Sequence, residues 1–494
     1  MNPLMRFCRN VPKVVGLFCS ASLWWTTSCG SGPAALRIDP GTGGGGAPTS
    51  YTSRSDRNVQ QEAALSTPSV NTVINDPDFL VDGTGARIVR VTDGNTGSPC
   101  SLPANQSFFS TSSAEQNTWN TDSTKFYMES SGGRVMAFTW DSTTMQSSFI
   151  NVPGSCWVPL STGADAPTFS YSNPNYLYGN SSANDDFIRR FNFADSSVTV
   201  IKDLSTCGAG FPANSVIGDN SVNNNDTRFL AYIGGQDTAQ YLVVYDTNLG
   251  CRWYNTFTGQ IGGAWGPTGS ASTSKSYKMH NARLSRDGTF ARITSGTSSD
   301  MEFWEVGTLT VRDCTSGSSP YCGGHQVMGY THLVNTPGTV DDMNILIRPL
   351  DNLSSTTQLI LPTLTPIEFG LDTHWSWNNV NSTDSIPVCG STFQDSGLPT
   401  AITRAWDREV ICIRTDGVES KVWRFAHHRA TGALNQNAAA SSNFRSIPKG
   451  NVSQDGKFYM LSSDWEWTLG SQNDSSGCPT SGTCRSDGFV VELK

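Results

Sequence analysis

A short unit recurs along this chain, in which a polar turn is followed at once by an aromatic-rich strand. The clearest copy, SQDGKFYML, begins at Ser453. Four more copies, NTDSTKFYM, SNPNYLYG, NNNDTRFLAY and SRDGTFARI, begin at Asn120, Ser172, Asn223 and Ser285. The steps between these four starts are 52, 51 and 62 residues, which is the size of one four-stranded propeller blade with its loops.

The interval between Ser285 and Ser453 leaves room for three more steps. Two degraded copies, GYTHLVN near Thr331 and THWSWNN near Trp377, fill it. The sequence therefore predicts an all-β fold, a seven-bladed β-propeller with four-stranded antiparallel blades, because closing such a ring covers apolar faces and removes exposed edges. ARIVRVTD, at Ala86, is expected to pair in the last blade with the C-terminal GFVVELK.

The composition agrees with a large all-β protein. Only 15% of the 494 residues are charged, and 47 are Gly and 14 are Trp, which is typical neither of a helical protein nor of a disordered one. The formal net charge is −9, and the part after residue 28 carries −12 because the first 28 residues hold three basic and no acidic residues. A nucleic-acid partner is therefore not expected.

Residues 1–28 are predicted to be a secretory signal, with a basic start and an apolar run from Val14 to Trp25. The run is too short to cross about 30 Å of hydrocarbon. The small residues before Cys29 resemble a bacterial lipobox, with Thr26 at the usual Leu position, so Cys29 is either acylated or lies just after a plain cleaved signal. We expect an exported bacterial protein that is periplasmic, extracellular or held at the outer membrane only by a lipid on Cys29.

The chain after Cys29 is predicted to be a flexible tether over residues 29–72. GSGPAALRIDPGTGGGGAPTS is too rich in Gly, Pro and Ser to bury a core. The propeller domain is then expected over residues 73–494.

Ten cysteines follow Cys29, an even set that suits disulfides in an exported protein. One of many pairings is the sequential one: Cys100–Cys156, Cys207–Cys251, Cys314–Cys322, Cys389–Cys412 and Cys478–Cys484. It is preferred for Cys314–Cys322 and Cys478–Cys484, whose flanking sequences are typical of stapled surface loops. No CxxC pair accompanies these cysteines, so a zinc site is not expected.

The S-x-D-G-K-F-x-M units resemble the repeats of TolB-type and WD40-like propellers, with Gln454 or Arg286 where those repeats have Pro before Asp. VSQDGKFYMLSSDW is also similar to the last blade of oligogalacturonate lyases and related seven-bladed polysaccharide lyases. Those lyases hold a divalent metal with closely spaced histidines just upstream. This chain has SIPKGNVS there, with Lys449 and Asn451 but no histidine, so we expect no cofactor and find no ligand pattern that supports a metal.

The histidines are the main candidates for chemistry, at positions 280, 325, 332, 374, 427 and 428. Residues just before an inner strand of a propeller point into the central channel. His280, His332 and His374, from three consecutive blades, are therefore predicted at one channel mouth. The further candidates around them are Arg283, Tyr330, Trp375 and Trp377, with Asp165, Asn117 and Gln116 from earlier blades.

The lyase resemblance implies roles for these residues, since uronate lyases need a base, a cation that neutralises the carboxylate, and often a tyrosine acid. The implied catalytic set is His280 or His374 as base, Arg283 as cation and Tyr330 as acid. The implied substrate-binding set is His332, Trp375, Trp377, Asp165, Asn117 and Gln116. The alternative is structural, with histidines that hydrogen-bond neighbouring strands, tryptophans in the core and Arg283 on a sheet surface. His427 and His428 are predicted to be a solvent-facing pair.

The sequence shows no G-x-S-x-G elbow, no HExxH and no Gly-rich loop that opens a helix. Two classes of function remain, and whether the protein is an enzyme is left open. The preferred one is a monomeric cell-envelope propeller that binds an extracellular polysaccharide or an envelope protein at its channel mouth. The other is a lyase that cleaves uronate-containing glycans by β-elimination.

Overall fold

The computed structural model describes the chain from residue 47 onward, with gaps. The described residues are 47–79, 85–111, 113–162, 167–181, 185–212, 217–273, 275–296, 301–314, 322, 324–336, 345–360, 372–378, 381–393, 402, 405–431, 447–471 and 484–494. The predicted signal, Cys29 and the first part of the predicted tether lie outside them. No helix in these ranges is long and apolar enough to cross a membrane.

The described strands form seven antiparallel sheets, which are numbered here along the chain. β1 (Val73–Asn75) and β2 (Arg87–Arg90) come first in the chain but belong to the last sheet. Sheet 1 contains β3 (Phe108–Phe109), β4 (Lys125–Ser130), β5 (Arg134–Asp141) and β6 (Gln146–Phe149). Sheet 2 contains β7 (Thr168–Phe169), β8 (Tyr176–Gly179), β9 (Phe187–Asn192) and β10 (Ser197–Asp203). Sheet 3 contains β11 (Ile217–Val222), β12 (Arg228–Ile233), β13 (Tyr241–Asp246), β14 (Gly250–Asn255), β15 (Gln260–Gly263) and β16 (Gly269–Ser270).

The second half of the chain supplies the other four sheets. Sheet 4 contains β17 (Met279–Leu284), β18 (Phe290–Ser295), β19 (Met301–Glu305) and β20 (Val311–Asp313). Sheet 5 contains β21 (Gln326–Met328), β22 (His332–Asn335), β23 (Leu346–Pro349) and β24 (Thr357–Gln358). Sheet 6 contains β25 (Asp372–Ser376), β26 (Val388–Phe393), β27 (Glu409–Ile413) and β28 (Val422–His427). Sheet 7 contains β29 (Gly450–Val452), β30 (Phe458–Ser463) and β31 (Asp487–Glu492), followed by β2 and β1. Three short 3₁₀ turns cover Pro77–Phe79, Ser98–Cys100 and Leu204–Thr206.

The recurring sequence unit is the turn that joins the first strand of a sheet to the second. In the last copy, the Ser453 hydroxyl donates to Asp455 and accepts from the Phe458 amide. The Gly456 amide closes the turn on the Ser453 carbonyl, and Gly456 has a φ of 68°, which a glycine adopts at little cost. The copy that begins at Ser285 makes the same hydrogen bonds, so the repeat encodes a fixed strand–turn–strand geometry.

The sheets close into a ring, because one buried apolar cluster lies between each pair of neighbouring sheets. The cluster that joins the last sheet to the first contains Phe126, Trp140, Phe458 and Val490. The first strands of neighbouring sheets, such as β11 and β17 or β25 and β29, lie against one another around the centre. The fold is therefore an all-β propeller with four-stranded antiparallel blades, in which sheet 3 carries two extra strands at its outer edge and sheet 7 carries one, β1.

The last sheet is completed by the start of the propeller domain. β2 pairs with β31 in antiparallel register, with Val89 opposite Val490. The predicted pairing of ARIVRVTD with the C-terminal strand is confirmed. The two ends of the domain thus share one sheet, which holds the ring closed.

Residues 47–72, predicted as part of a tether, lie against the propeller. The Tyr51 hydroxyl donates to the Gly456 carbonyl, and the Ser53 amide donates to the carbonyl of Lys494. Buried Arg424 of β28 donates to the carbonyl oxygens of Asp56 and Asn58. This segment is therefore docked on the propeller where the structure describes it, from residue 47 onward.

Four of the five disulfides of the sequential pairing are present, including the preferred Cys314–Cys322: Cys100–Cys156, Cys207–Cys251, Cys314–Cys322 and Cys389–Cys412. Cys389 and Cys412 lie directly opposite each other on β26 and β27. Cys484 is disulfide-bonded, whereas Cys478 lies outside the described residues. These bonds suit an oxidising compartment.

Candidate functional site

A loop from sheet 1, residues 110–117, spans the centre of the ring and is called the channel loop here. Residue 112 lies outside the described part of this loop. Its Gln116 side chain donates to the carbonyls of Pro167 in sheet 2 and Asn220 in sheet 3. Asn451 of sheet 7 donates to the carbonyl of Gln116 from the other side. The channel loop therefore bridges sheets across the channel.

Gln116 and Asn117, predicted to bind substrate, are buried in these contacts. The Asn117 amide donates to the Phe169 carbonyl at 2.9 Å, and its oxygen accepts from Gln454 at 2.7 Å. Both side chains thus hold sheets together in this structure. Asp165 lies outside the described residues.

Three polar side chains from consecutive sheets meet at the start of the first strands, and this place is called the strand-start mouth. His325 directly precedes β21, His374 lies in β25, and Lys449 directly precedes β29. The imidazoles of His325 and His374 lie with their centroids 3.8 Å apart and their planes tilted by 30°. His325 and Lys449 each lie four residues before the first residue of a strand-joining turn, Gly329 and Ser453 respectively. The repeat therefore places them at the same height in the ring.

The electrostatics of this mouth favour one fixed cation beside two rings. Burial lowers the pKa of His374 well below its ordinary value, and the nearby His325 and Lys449 lower it further. His374 is therefore neutral at physiological pH and can both donate and accept hydrogen bonds. Lys449 is 1% exposed, so its side chain lies beneath the surface of this mouth, whereas His325 and His374 are half-buried.

His280, predicted as a base, lies at the exposed start of β17 beside Asp237. Its Nδ1 is 2.9 Å from a carboxylate oxygen of Asp237, and both side chains are nearly half exposed. The Gln236 amide nitrogen lies 3.1 Å from Nε2 of His280. A carboxylate at Nδ1 fixes the tautomer and orientation of an imidazole, which is how a general base is commonly held.

Arg283, predicted to neutralise a carboxylate, is buried within the ring rather than on a sheet surface. Its guanidinium donates to the Ala282 carbonyl at 3.0 Å. Burial lowers the pKa of Arg283 to about 10, although Glu115 of the channel loop opposes this shift. The side chain therefore belongs to the channel interior.

Trp375 and Trp377 pack in the core between sheets 5 and 6. Their indole nitrogens donate to the Thr336 hydroxyl and the Ile386 carbonyl. Neither ring is available as a sugar-stacking platform, because both are at most 1% exposed. These two residues therefore match the structural alternative, in which the tryptophans belong to the core.

Tyr330 and His332 lie at the other end of the first strand, beyond the turn that begins at Gly329. The amides of Tyr330 and Thr331 donate to Asp384, and Nδ1 of His332 is 2.9 Å from the same carboxylate. His332 starts β22, the second strand of its sheet. The structure therefore separates both residues from the strand-start mouth, and His325 lies where the sequence analysis expected His332.

His427 and His428, predicted to face solvent, are buried. The N-terminal segment covers His427. The backbone amide of His427 donates to Asp76, and Nδ1 of the His427 ring lies 3.1 Å from Asp78. Nε2 of His428 lies 2.8 Å from the Thr392 carbonyl. Both rings thus act as internal contacts.

Asp76, Asp78 and His427 also form the one group among the described residues that could hold a metal ion. The two Asp76 oxygens already accept the amides of Asp78 and His427. Asp78 accepts the Ala63 amide at 2.8 Å, and Arg429 places a positive charge 4.0 Å from the same oxygen. This donor set fits a hydrogen-bonded anchor for the N-terminal segment better than a cation site, because a guanidinium already supplies positive charge there.

His325 and Lys449 are the site residues that the sequence analysis missed. The repeat contains the information that places them, because each residue lies four positions before the first residue of a strand-joining turn. The sequence does not show this spacing in sheet 5, because that copy of the repeat lacks the Ser-x-Asp-Gly turn that marks where the turn begins.

No family model matches this sequence, and no curated protein matches it. Among solved structures, an oligogalacturonate lyase from Vibrio parahaemolyticus is similar over 90% of this chain and 97% of its own, at 10% identity and a TM-score of 0.48. A structure of the mitotic checkpoint complex is similar over 80% of this chain and 92% of its own, at 9% identity and a TM-score of 0.40. Both TM-scores lie below 0.5, so these similarities carry no information about the activity of this protein.

Proposed function

We propose that this protein is an exported cell-envelope propeller that binds an acidic extracellular polymer at its strand-start mouth, without catalysis. A partner protein that presents carboxylates in the same way is the other ligand this mouth suits. The protein works as a monomer in the periplasm or outside the cell, with or without a lipid on Cys29. The disulfides support an oxidising location.

The observation that carries the proposal is the arrangement of three residues from neighbouring sheets. The rings of His325 and His374 lie close together, and Lys449 is near enough to lower the pKa of His374. A lysine beside two half-buried imidazole rings suits a ligand that combines a carboxylate with hydroxyl groups, as uronate sugars do. The net charge of −9 repels polyanions at a distance, but a local cation at a concave mouth can outweigh the overall sign.

Affinity electrophoresis tests this proposal, with the full-length protein run through gels that contain polygalacturonate, alginate or neutral dextran. We expect retardation by a uronate polymer but not by dextran. Lys449→Met should abolish the retardation, whereas Lys457→Met, which changes an exposed lysine at the opposite end of the same strand, should leave it intact. Equal migration of the wild type and Lys449→Met in every uronate gel would contradict the proposal.

A second candidate function is β-elimination on a uronate polymer, and the observation that favours it is the His280–Asp237 pair. His280 would take the C5 proton, as the resemblance to polysaccharide lyases implies. New ultraviolet absorbance from an unsaturated product, with and without added divalent ions, measures this activity. Activity that disappears in His280→Ala supports the lyase, and no product from any uronate polymer rules it out.

We also propose that each of the seven sheets is one blade, which gives the seven-bladed ring that the repeat spacing predicts. The strand–turn unit supports placing the domain with TolB-type and WD40-like propellers. A crystal structure that merges two of the sheets into one blade would contradict this count.

A further inference from the structure

Arg286 differs from the other buried arginines whose contacts are fully described, because neither an anion nor a set of carbonyl acceptors accompanies it. It is 5% exposed and directly follows Ser285, the first residue of the turn in sheet 4. Its guanidinium makes one hydrogen bond, a long one of 3.5 Å to the Trp377 carbonyl, and its Nε is buried without a partner. A buried charge in this state carries a large free-energy cost unless something else compensates it.

The comparison with other buried arginines shows how this chain normally satisfies such a group. Arg292 pairs with Glu115, and Arg424 pairs with Glu409. Arg252 has no carboxylate, but its nitrogens donate to four carbonyl oxygens, those of Val306, Trp265, Pro267 and Thr308. Arg286 has neither kind of compensation among the described residues.

A second buried donor lies beside Arg286. Tyr171, which follows Ser170 in the corresponding turn of sheet 2, places its ring 4.6 Å from the Arg286 guanidinium carbon. The Tyr171 hydroxyl is buried without a hydrogen-bond partner. Burial, with a contribution from Asp226, raises the pKa of Tyr171 to about 12, so the hydroxyl keeps its proton and can donate it.

Both residues lie at one end of the channel, which is called the turn-side mouth. The turns at this end are joined to one another, since the Asn224 amide donates to the Arg286 carbonyl and the Arg286 amide donates to the Gly329 carbonyl. Tyr330, half-buried, follows Gly329 in the next sheet. This mouth is at the opposite end of the first strands from His325 and Lys449, so the inference does not rest on the proposed function.

We propose that the guanidinium of Arg286 and the hydroxyl of Tyr171 bind a small monovalent anion, either a free halide or the carboxylate of a larger ligand, at the turn-side mouth. The Tyr171 hydroxyl makes no hydrogen bond to Asp226, in which one oxygen accepts from Ser170, Ser172 and Tyr178 and the other is buried without a partner. An anion would complete the contacts of both donors and neutralise the guanidinium.

Bromide is the probe for the test, because it can be located by anomalous diffraction. Crystals of the full-length protein soaked in sodium bromide should show an anomalous peak within about 3.5 Å of Arg286 and the Tyr171 oxygen. Bromide should also raise the melting temperature saturably, by about 1–3 °C at constant ionic strength. The rise should be lost in Arg286→Gln, reduced in Tyr171→Phe and kept in Arg414→Gln, a control at a half-buried arginine that already pairs with Asp416 and Glu419.

Acetate distinguishes the two sources of the anion. Acetate that displaces bromide shows that carboxylates use the site, whereas bromide binding that resists acetate assigns it to halides alone. Crystals with no anomalous peak beside Arg286 would overturn the proposal, as would an equal bromide response of the wild type and Arg286→Gln. The diffraction measurement uses only the wild type, so it decides the matter even if Arg286→Gln fails to fold.

Discussion

Arg292 of sheet 4 donates two hydrogen bonds to the carboxylate of Glu115, which lies 177 residues earlier in the chain. The two nitrogen–oxygen distances are 2.8 and 2.7 Å, and Arg292 is fully buried. This bidentate pair fixes the channel loop to the strand on the far side of the channel. The position of the loop thus depends on a compensated pair of charges as well as on apolar packing.

Glu115→Ala should lower the free energy of unfolding by about 3–5 kcal/mol, because it leaves the Arg292 charge buried without a partner. Urea unfolding followed by tryptophan fluorescence measures this loss. Glu115→Ala combined with Arg292→Met should be more stable than Glu115→Ala alone, since the uncompensated charge is gone. A double variant that loses the sum of the two single effects would show that the pair is not coupled.

The sequence predicted the ring and its closure well, because both depend on local chemistry. The turn at Ser453 and the apolar strand of β2 are complete within a few residues, and their hydrogen bonds follow from those residues alone. In sheet 5 the turn is capped by Asp384, which comes from another sheet. The local sequence contains no sign of this cap, so it predicts the copy near Thr331 and favours His332 over His325.

Contacts between distant parts of the chain explain why the structural surroundings of other candidates were not foreseeable. His427 looked solvent-facing because nothing in its neighbourhood shows that Asp76 and Asp78, about 350 residues earlier, cover it. Gln116 looked free to bind substrate because its partners, the carbonyls of Pro167 and Asn220, belong to two other sheets. Side chains whose roles depend on tertiary contacts could not be assigned from a single sequence.

Glu302 should make stability depend on pH. It is buried between sheets 3 and 4, accepts the hydroxyls of Tyr254 and Tyr277 at 2.9 Å, and has a pKa that burial raises from 4.5 to about 7. The folded protein therefore holds this proton over a range where the unfolded chain has released it. Stability from this group is full below the unfolded pKa and falls as the pH rises from about 5 to 7, by on the order of 3 kcal/mol.

Urea unfolding at a series of pH values checks this expectation. Glu302→Gln should remove this part of the pH dependence, because the amide does not titrate. Glu305→Gln, which changes a half-exposed partner of Arg312 on the same strand, should retain it. A slope that is identical in the wild type and Glu302→Gln would show that other groups cause it.

The N-terminal segment should contribute to stability rather than act only as a tether. A chain that begins at residue 47 keeps the carbonyls of Asp56 and Asn58 that buried Arg424 uses, whereas a chain that begins at residue 73 loses them. We expect the shorter chain to be less stable by about 3 kcal/mol or more. Calorimetry of the two chains measures the difference, and equal melting temperatures would mean that the docked segment is energetically neutral.

The disulfide pattern can be read directly by peptide mapping without reduction. We expect cross-linked peptides for Cys100–Cys156, Cys207–Cys251, Cys314–Cys322 and Cys389–Cys412. A peptide that joins Cys478 to Cys484 would complete the sequential pattern. Free thiols at Cys389 and Cys412 in the native protein would contradict the structure, because these residues face each other across neighbouring strands.

Histidine-selective NMR tests the central claim, that the strand-start mouth binds an acidic polymer, most directly. The full-length protein labelled only in its histidine rings would be titrated with a saturated oligogalacturonate, and the six resonances assigned by single His→Gln variants. The account predicts saturable shifts of the His325 and His374 resonances, while those of the buried His427 and His428 stay unchanged. Binding of the oligomer that leaves the His325 and His374 resonances in place would contradict it.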